Sequence, residues 1–149
     1  CISTITSPAI TVSASNVVID GIRLIGNTAT QYGIKVTGAN VTIRNCEFEG
    51  FQTPIYVRDA DGVVIKNCRI TGQTDTGIEY YGSDDGIVGE NVIANATGGS
   101  TIYEIKIGNS SLRNSVVGNT TTNGQIYIDN TSSAGNANAA NTGTVTVAT

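Results

Sequence analysis

Tyr56, Glu79, Tyr81, Tyr103, Lys106 and Tyr127 are side chains of the types that hold sugars. Aromatic rings pack on the apolar face of a pyranose, and charged groups beside them bond its hydroxyls. The same set also suits a plain solvated sheet or a subunit contact. A second set is acidic. Glu79, Asp84 and Asp85 are the best carboxylates for acid or base work at a glycosidic bond, which needs two positioned carboxyl groups. Asp59, Asp61, Asp84 and Asp85 could together ligate a hard cation such as Ca2+. Asp61-Gly62 and Asp85-Gly86 are equally the chemistry of ordinary turns. No other cofactor is expected.

Composition narrows the classes. With 8 basic residues, dispersed, and a net charge of −4, the chain lacks the clustered cations of a nucleic-acid groove. No apolar run reaches the roughly 20 residues of a membrane span. The chain has no methionine and begins at Cys1, so it is expected to be part of a longer polypeptide. Cys46 and Cys68, 22 residues apart, are expected to stack as buried thiols rather than to form a disulfide.

The elements that position these residues come from a repeat of about 23 residues. One phrase reads Val-Val-Ile-Asp-Gly-Ile-Arg-Leu from Val17, Val-Thr-Ile-Arg-Asn-Cys-Glu-Phe from Val41 and Val-Val-Ile-Lys-Asn-Cys-Arg-Ile from Val63. It continues more loosely from Ile87 and from Leu112. Aligned this way, Ile19, Ile43, Ile65, Val88 and Leu112 form one column, and Leu24, Phe48, Ile70, Ile93 and Val117 another. A second phrase alternates, with inward pairs Ile10/Val12, Ile34/Val36, Ile55/Val57, Ile78/Tyr80, Ile105/Ile107, Ile126/Ile128 and Val145/Val147. Period-two alternation buries one face of a strand and wets the other. The wet positions are Thr11, Lys35, Tyr56, Glu79, Lys106, Tyr127 and Thr146, flanked by Tyr81, Tyr103 and Glu104.

Gly21, Asn45, Asn67, Glu90 and Asn114 fall at the sharp corner of the first phrase, where a left-handed backbone favours glycine and asparagine. Glu90 is the exception, and a distorted corner is expected there. The connection lengthens near Asn95–Thr101, where the step from Ile78 to Ile105 is 27 residues. On the other outer face Asp20–Arg44 and Arg23–Glu47–Arg69 form charge ladders. Charge then gives way to Val92 and Val116, expected to be exposed at a subunit contact. Residues 1–130 are expected to form the repeat, and 131–149 a Ser/Ala/Gly/Asn-rich excursion with a terminal strand. Neither end reads as a polar cap.

At the Val-x-Ile-x-Asn-Cys-x-Ile phrase the chain resembles the right-handed parallel β-helix, or pectin-lyase-like, superfamily, over about residues 8–130. The resemblance implies an all-β, single-stranded parallel β-helix of about six to seven rungs, with three short strands each. It looks most like a tailspike or tail-fibre module of a bacteriophage. That likeness implies a homotrimer in a virion tail appendage that recognises a bacterial surface polysaccharide. A polysaccharide lyase or glycoside hydrolase, secreted by a bacterium, is the alternative, and a structural spacer or virion decoration without glycan binding is a third. Polygalacturonases carry paired aspartates where this chain has Asp75-Thr76, and a histidine where it has Gly98-Gly99-Ser100-Thr101. The sequence contains no histidine, so that hydrolytic mechanism is not expected. A pectate-lyase-like site would use the aspartate cluster for Ca2+ and Arg58 as base.

Overall fold

A strand that buries only alternate residues cannot form a core alone, so each turn of the chain must stack its apolar side chains on the next. The computed structural model describes residues 7–27, 31–94, 96–97, 102–129 and 135–148. Two parallel sheets wind into three walls. Wall one is the six-stranded sheet of β2 (Val18–Asp20), β5 (Thr42–Arg44), β8 (Val64–Lys66), β11 (Ile87–Gly89), β14 (Ser115–Val117) and β16 (Ala137–Ala139). Wall two stacks β3 (Arg23–Ile25), β6 (Glu47–Glu49), β9 (Arg69–Thr71) and β12 (Val92–Ala94). Wall three stacks β1 (Ile10–Val12), β4 (Tyr32–Val36), β7 (Thr53–Arg58), β10 (Thr76–Tyr81) and β13 (Tyr103–Gly108). The long β15 (Thr120–Asp129) turns the corner and joins walls two and three, and β17 (Thr142–Ala148) pairs along it.

The interior holds the predicted pairs of the second phrase from Ile34/Val36 to Ile126/Ile128, while at the two end rungs Ile10 and Val145 are half-buried and Val147 is exposed. Ile34, Ile55, Ile78, Ile105 and Ile126 are fully buried and in register, one over the next. Ile43, Ile65 and Val88 stack likewise on wall one. The corner between walls one and two takes positive φ at every rung: Gly21, Asn45, Asn67, Glu90, Gly118 and Ala140 lie between 52° and 70°. Glu90, at 57°, keeps this geometry, so the distortion expected there does not occur. The donors on either side dictate the corner: Asn67 N–H bonds Gly89 O, and Glu90 N–H bonds Val117 O.

The fifth rung is offset from the sequence alignment. Val116, not Leu112, pairs with Val88 and is buried. Thr121, not Val117, pairs with Ile93, and Gly118, not Asn114, takes the corner. The cause is the extension between β12 and β13, which lengthens this rung to 28 residues from Val88 to Val116. Except for Ala96 and Thr97, Asn95–Thr101 lies outside the described residues. Val116 is therefore core, not an exposed contact residue, whereas Val92 is exposed as expected.

Cys46 and Cys68 are free, buried and stacked on successive rungs. Each thiol points at the main-chain carbonyl of the preceding rung, Ile19 O and Ile43 O respectively, at 3.9 Å. Later rungs place asparagine at this position, and the amides of Asn91, Asn119 and Asn141 reach Ile65 O, Val88 O and Val116 O at 3.1, 2.9 and 2.8 Å. Residues 131–134 lie outside the described residues; from Gly135 the chain adds another rung, with β16 on β14 and β17 on β15. Asn138 there occupies the column of Val116. At the opposite end an apolar mouth of about 580 Å³ is lined by Ile10, Val12, Val17, Ile19 and Ile22.

Candidate functional site

The wet face of wall three gathers the polar residues that the sequence singled out. Register places Thr11, Lys35, Tyr56, Glu79, Lys106, Tyr127 and Thr146 in one column running along the helix. A neighbouring column contains Tyr103 and Gln125, and Arg58 and Tyr81 pair at the far edge. Alternation turns the first column outward because the residues between its members are core. Tyr103, by contrast, reaches this face through a register irregularity between Tyr103 and Ile105, and Glu104, expected beside the wet positions, is fully buried there.

At the centre Lys106 Nζ lies 2.9 Å from Glu79 Oε1, and the two side chains are only 28% and 15% exposed. On one side Tyr103 and Tyr127 pack with centroids 5.2 Å apart and planes tilted by 51°, and Lys106 Nζ lies 5.9 Å from the Tyr103 centroid. On the other side Tyr32 stacks on Tyr56 at 4.8 Å and 12°. Arg58 covers the Tyr81 ring at 5.5 Å. Tyr56 is itself buried, so Tyr32 presents the accessible ring of that pair.

Tyr32 was not among the predicted residues. It was legible as Tyr32-Gly-Ile-Lys35, which repeats the spacing of Tyr103-Glu-Ile-Lys106 three rungs away.

The electrostatics hold these groups in their ordinary forms. Burial pushes the Lys106 pKa down, but the hydrogen bond and charge of Glu79 outweigh it, and the net shift is upward. Burial raises both Tyr32 and Tyr56, the nearby Glu79 charge adding to Tyr32 and the neighbouring Tyr32 to Tyr56. Lys106 thus stays a cation and the phenols stay neutral through the physiological range.

The acidic candidates sort into separate clusters. Glu79 belongs to wall three, whereas Asp84 and Asp85 lie at the corner leading into wall one. Asp85 has φ 56° and accepts both Arg113 Nε and Nη2, at 2.7 and 2.8 Å. Those bonds hold its carboxyl below the usual range. Asp84 Oδ1 accepts the Leu112 N–H at 2.8 Å, and Asp61 Oδ1 accepts the Asp84 N–H at 2.9 Å. Asp59 pairs with Arg58 at 3.2 Å. These are contacts that build successive turns. Among the described residues no group of three or more His, Cys, Asp or Glu side chains is arranged to hold a metal ion.

No curated protein and no solved structure matches the chain. A family model described as a right-handed beta helix region matches residues 2–142. With parallel rungs through the described residues of that span, the chain belongs to the right-handed β-helix family.

Proposed function

We propose that wall three binds a polysaccharide, and that the protein is a glycan-recognition module of the tailspike or tail-fibre kind. The observation that carries this reading is the pair of tyrosine clusters, Tyr32/Tyr56 and Tyr103/Tyr127, on either side of the Glu79–Lys106 ion pair. Rings on a regular sheet are preorganised, and little side-chain entropy is lost when a sugar settles on them. Recognition is favoured over turnover because a general base must be able to shed and take protons near neutral pH. Lys106, Tyr32 and Tyr56 are shifted the other way. The proposed setting is a virion tail appendage that meets a bacterial surface polysaccharide, assembled as a homotrimer.

The test is retention of the protein on immobilised bacterial surface polysaccharides, alongside a reducing-end assay of the same material. Binding without new reducing ends, weakened by Tyr103→Ala with Tyr127→Ala, is expected. Equal retention of wild type and double variant would remove wall three from the account. A rise in reducing ends would move the protein to the depolymerases.

A further inference from the structure

We propose that wall three carries the same subsite twice, three rungs apart, and takes one acidic oligosaccharide laid along the helix axis. This rests on the reading of wall three as a glycan-binding face. The first subsite is Tyr32, Lys35 and Tyr56; the second is Tyr103, Lys106 and Tyr127. In each, Tyr and Lys are three residues apart on one strand, and the Lys sits directly opposite the second Tyr on the next strand. In each, the first ring leans diagonally on the second, at 4.8 Å and 5.2 Å between centroids. The repeat is thus one of contacts as well as of sequence.

The strand order β4–β7–β10–β13 puts three strand steps between the two subsites. At about 4.8 Å per step they are about 14 Å apart, roughly three to four pyranose units along an extended chain. A ligand lying across the strands touches both. One lying along a strand reaches a single pair.

The two copies differ in charge. Lys106 is neutralised by Glu79 at 2.9 Å. Lys35 faces Thr11 and Tyr56 in the register, and among the described residues it forms no ion pair. The first subsite therefore keeps a positive charge suited to a sugar carboxylate, and the second suits a neutral sugar whose hydroxyls meet the ion pair. Glu79 repels an acidic sugar placed over the second copy, so the ligand has one favoured direction.

The experiment presents the full chain with an array of acidic (uronate- or sialate-bearing) and neutral oligosaccharides from two to eight sugars long. Dissociation constants of the retained glycans are then measured for wild type, Lys35→Gln, Tyr32→Ala and Tyr103→Ala, each checked for native stability in urea. Acidic glycans are expected to bind about tenfold or more tightly once long enough to span both subsites, because the second contact becomes intramolecular. Either Tyr→Ala change should abolish that gain while leaving short acidic or neutral ligands at the intact copy. Lys35→Gln should weaken acidic glycans about tenfold and leave neutral ones unchanged. Binding with no length threshold, or neutral glycans preferred and indifferent to Lys35→Gln, overturns the duplicated site yet leaves the face a glycan site. No glycan retained at all removes both.

Discussion

Asn119 accepts two hydrogen bonds from Asn91 on the preceding rung, one from its backbone N–H and one from Nδ2, both at 3.0 Å. Its own Nδ2 donates to Val88 O and to Asn141 Oδ1, each at 2.9 Å. The bonds to Asn91 and Val88 are buried and the one to Asn141 partly so, and Asn119→Ala therefore strands several polar groups at about 1–3 kcal/mol each. Loss of about 3–5 kcal/mol in urea unfolding is expected. Asn119→Cys should cost less, because at the equivalent position the Cys68 thiol meets the corresponding carbonyl, Ile43 O. Equal loss for the two variants would show that the ladder is not what the position supplies.

Tyr80 explains a glycine in the same interior. Its ring fills the space where Gly86 has no side chain, and its hydroxyl donates to Val63 O at 2.8 Å. A Cβ at Gly86 would stand 2.4 Å from Tyr80 Cε1 and 2.8 Å from Asn114 Oδ1. Gly86→Ala should therefore destabilise by about 2–3 kcal/mol. Adding Tyr80→Leu to Gly86→Ala should recover part of that, so the double-mutant cycle gives a coupling energy. Strict additivity would refute the steric link.

These contacts mark where the sequence stops being readable. The apolar columns were legible because buried aliphatics recur at a fixed step, and all seven pairs of wall three fall in the predicted register, although Val147 on the last rung is exposed. The fifth rung was not, because Leu112-Arg113-Asn114 imitates the phrase four residues too early. Topology held the remedy: one insertion between β12 and β13 must lengthen both columns, so the 27-residue step from Ile78 to Ile105 demands a similar step after Val88. The polar interior was hidden for another reason. Asn91 and Asn119 replace cysteines, and nothing in residue type says that an amide lies inside. On wall three, alternation located Glu79, Lys106 and Tyr127. The packing of Tyr32 over Tyr56 depends on a diagonal contact that one-strand patterns do not encode.

Glu90 supplies a stabilising change. It holds φ 57° at a corner where its neighbours in the stack are Asn67 and Gly118. A side chain longer than asparagine costs about 1 kcal/mol in this conformation. Glu90→Asn should raise the urea midpoint by an amount equivalent to about 0.5–1 kcal/mol, with an unchanged slope. A midpoint that stays or falls would mean that Glu90 has a compensating contact in the folded chain.

Cys68 is inert while the protein is folded. Burial pushes its thiol pKa up to about 12, the adjacent Cys46 modifying the shift. At pH 8 about one part in ten thousand would be thiolate, and the thiolate is the reactive form. Mass spectrometry of the Cys68 peptide after treatment with a thiol reagent at pH 8 should show no fast labelling. Labelling in urea should appear with unfolding. Rapid modification of the native protein would mean that the corner opens locally.

The ion pair on wall three makes stability depend on pH in a definite direction. Glu79 raises the folded pKa of Lys106 despite burial, and Tyr32 and Tyr56 are raised chiefly by burial. A raised folded value means that the contribution is complete below the unfolded value, about 10 for both residue types. It is lost as pH climbs through the folded value. Glu79→Gln leaves a half-covered ammonium without its partner and should cost about 1–2 kcal/mol at pH 7, since solvent still reaches both side chains. The gap between wild type and variant should hold from pH 7 to 9 and narrow at pH 10.5 and above, as Lys106 loses the proton that Glu79 binds. Urea unfolding at those pH values measures it. A gap that does not change with pH would assign the loss to packing around Glu79, with charge playing no part.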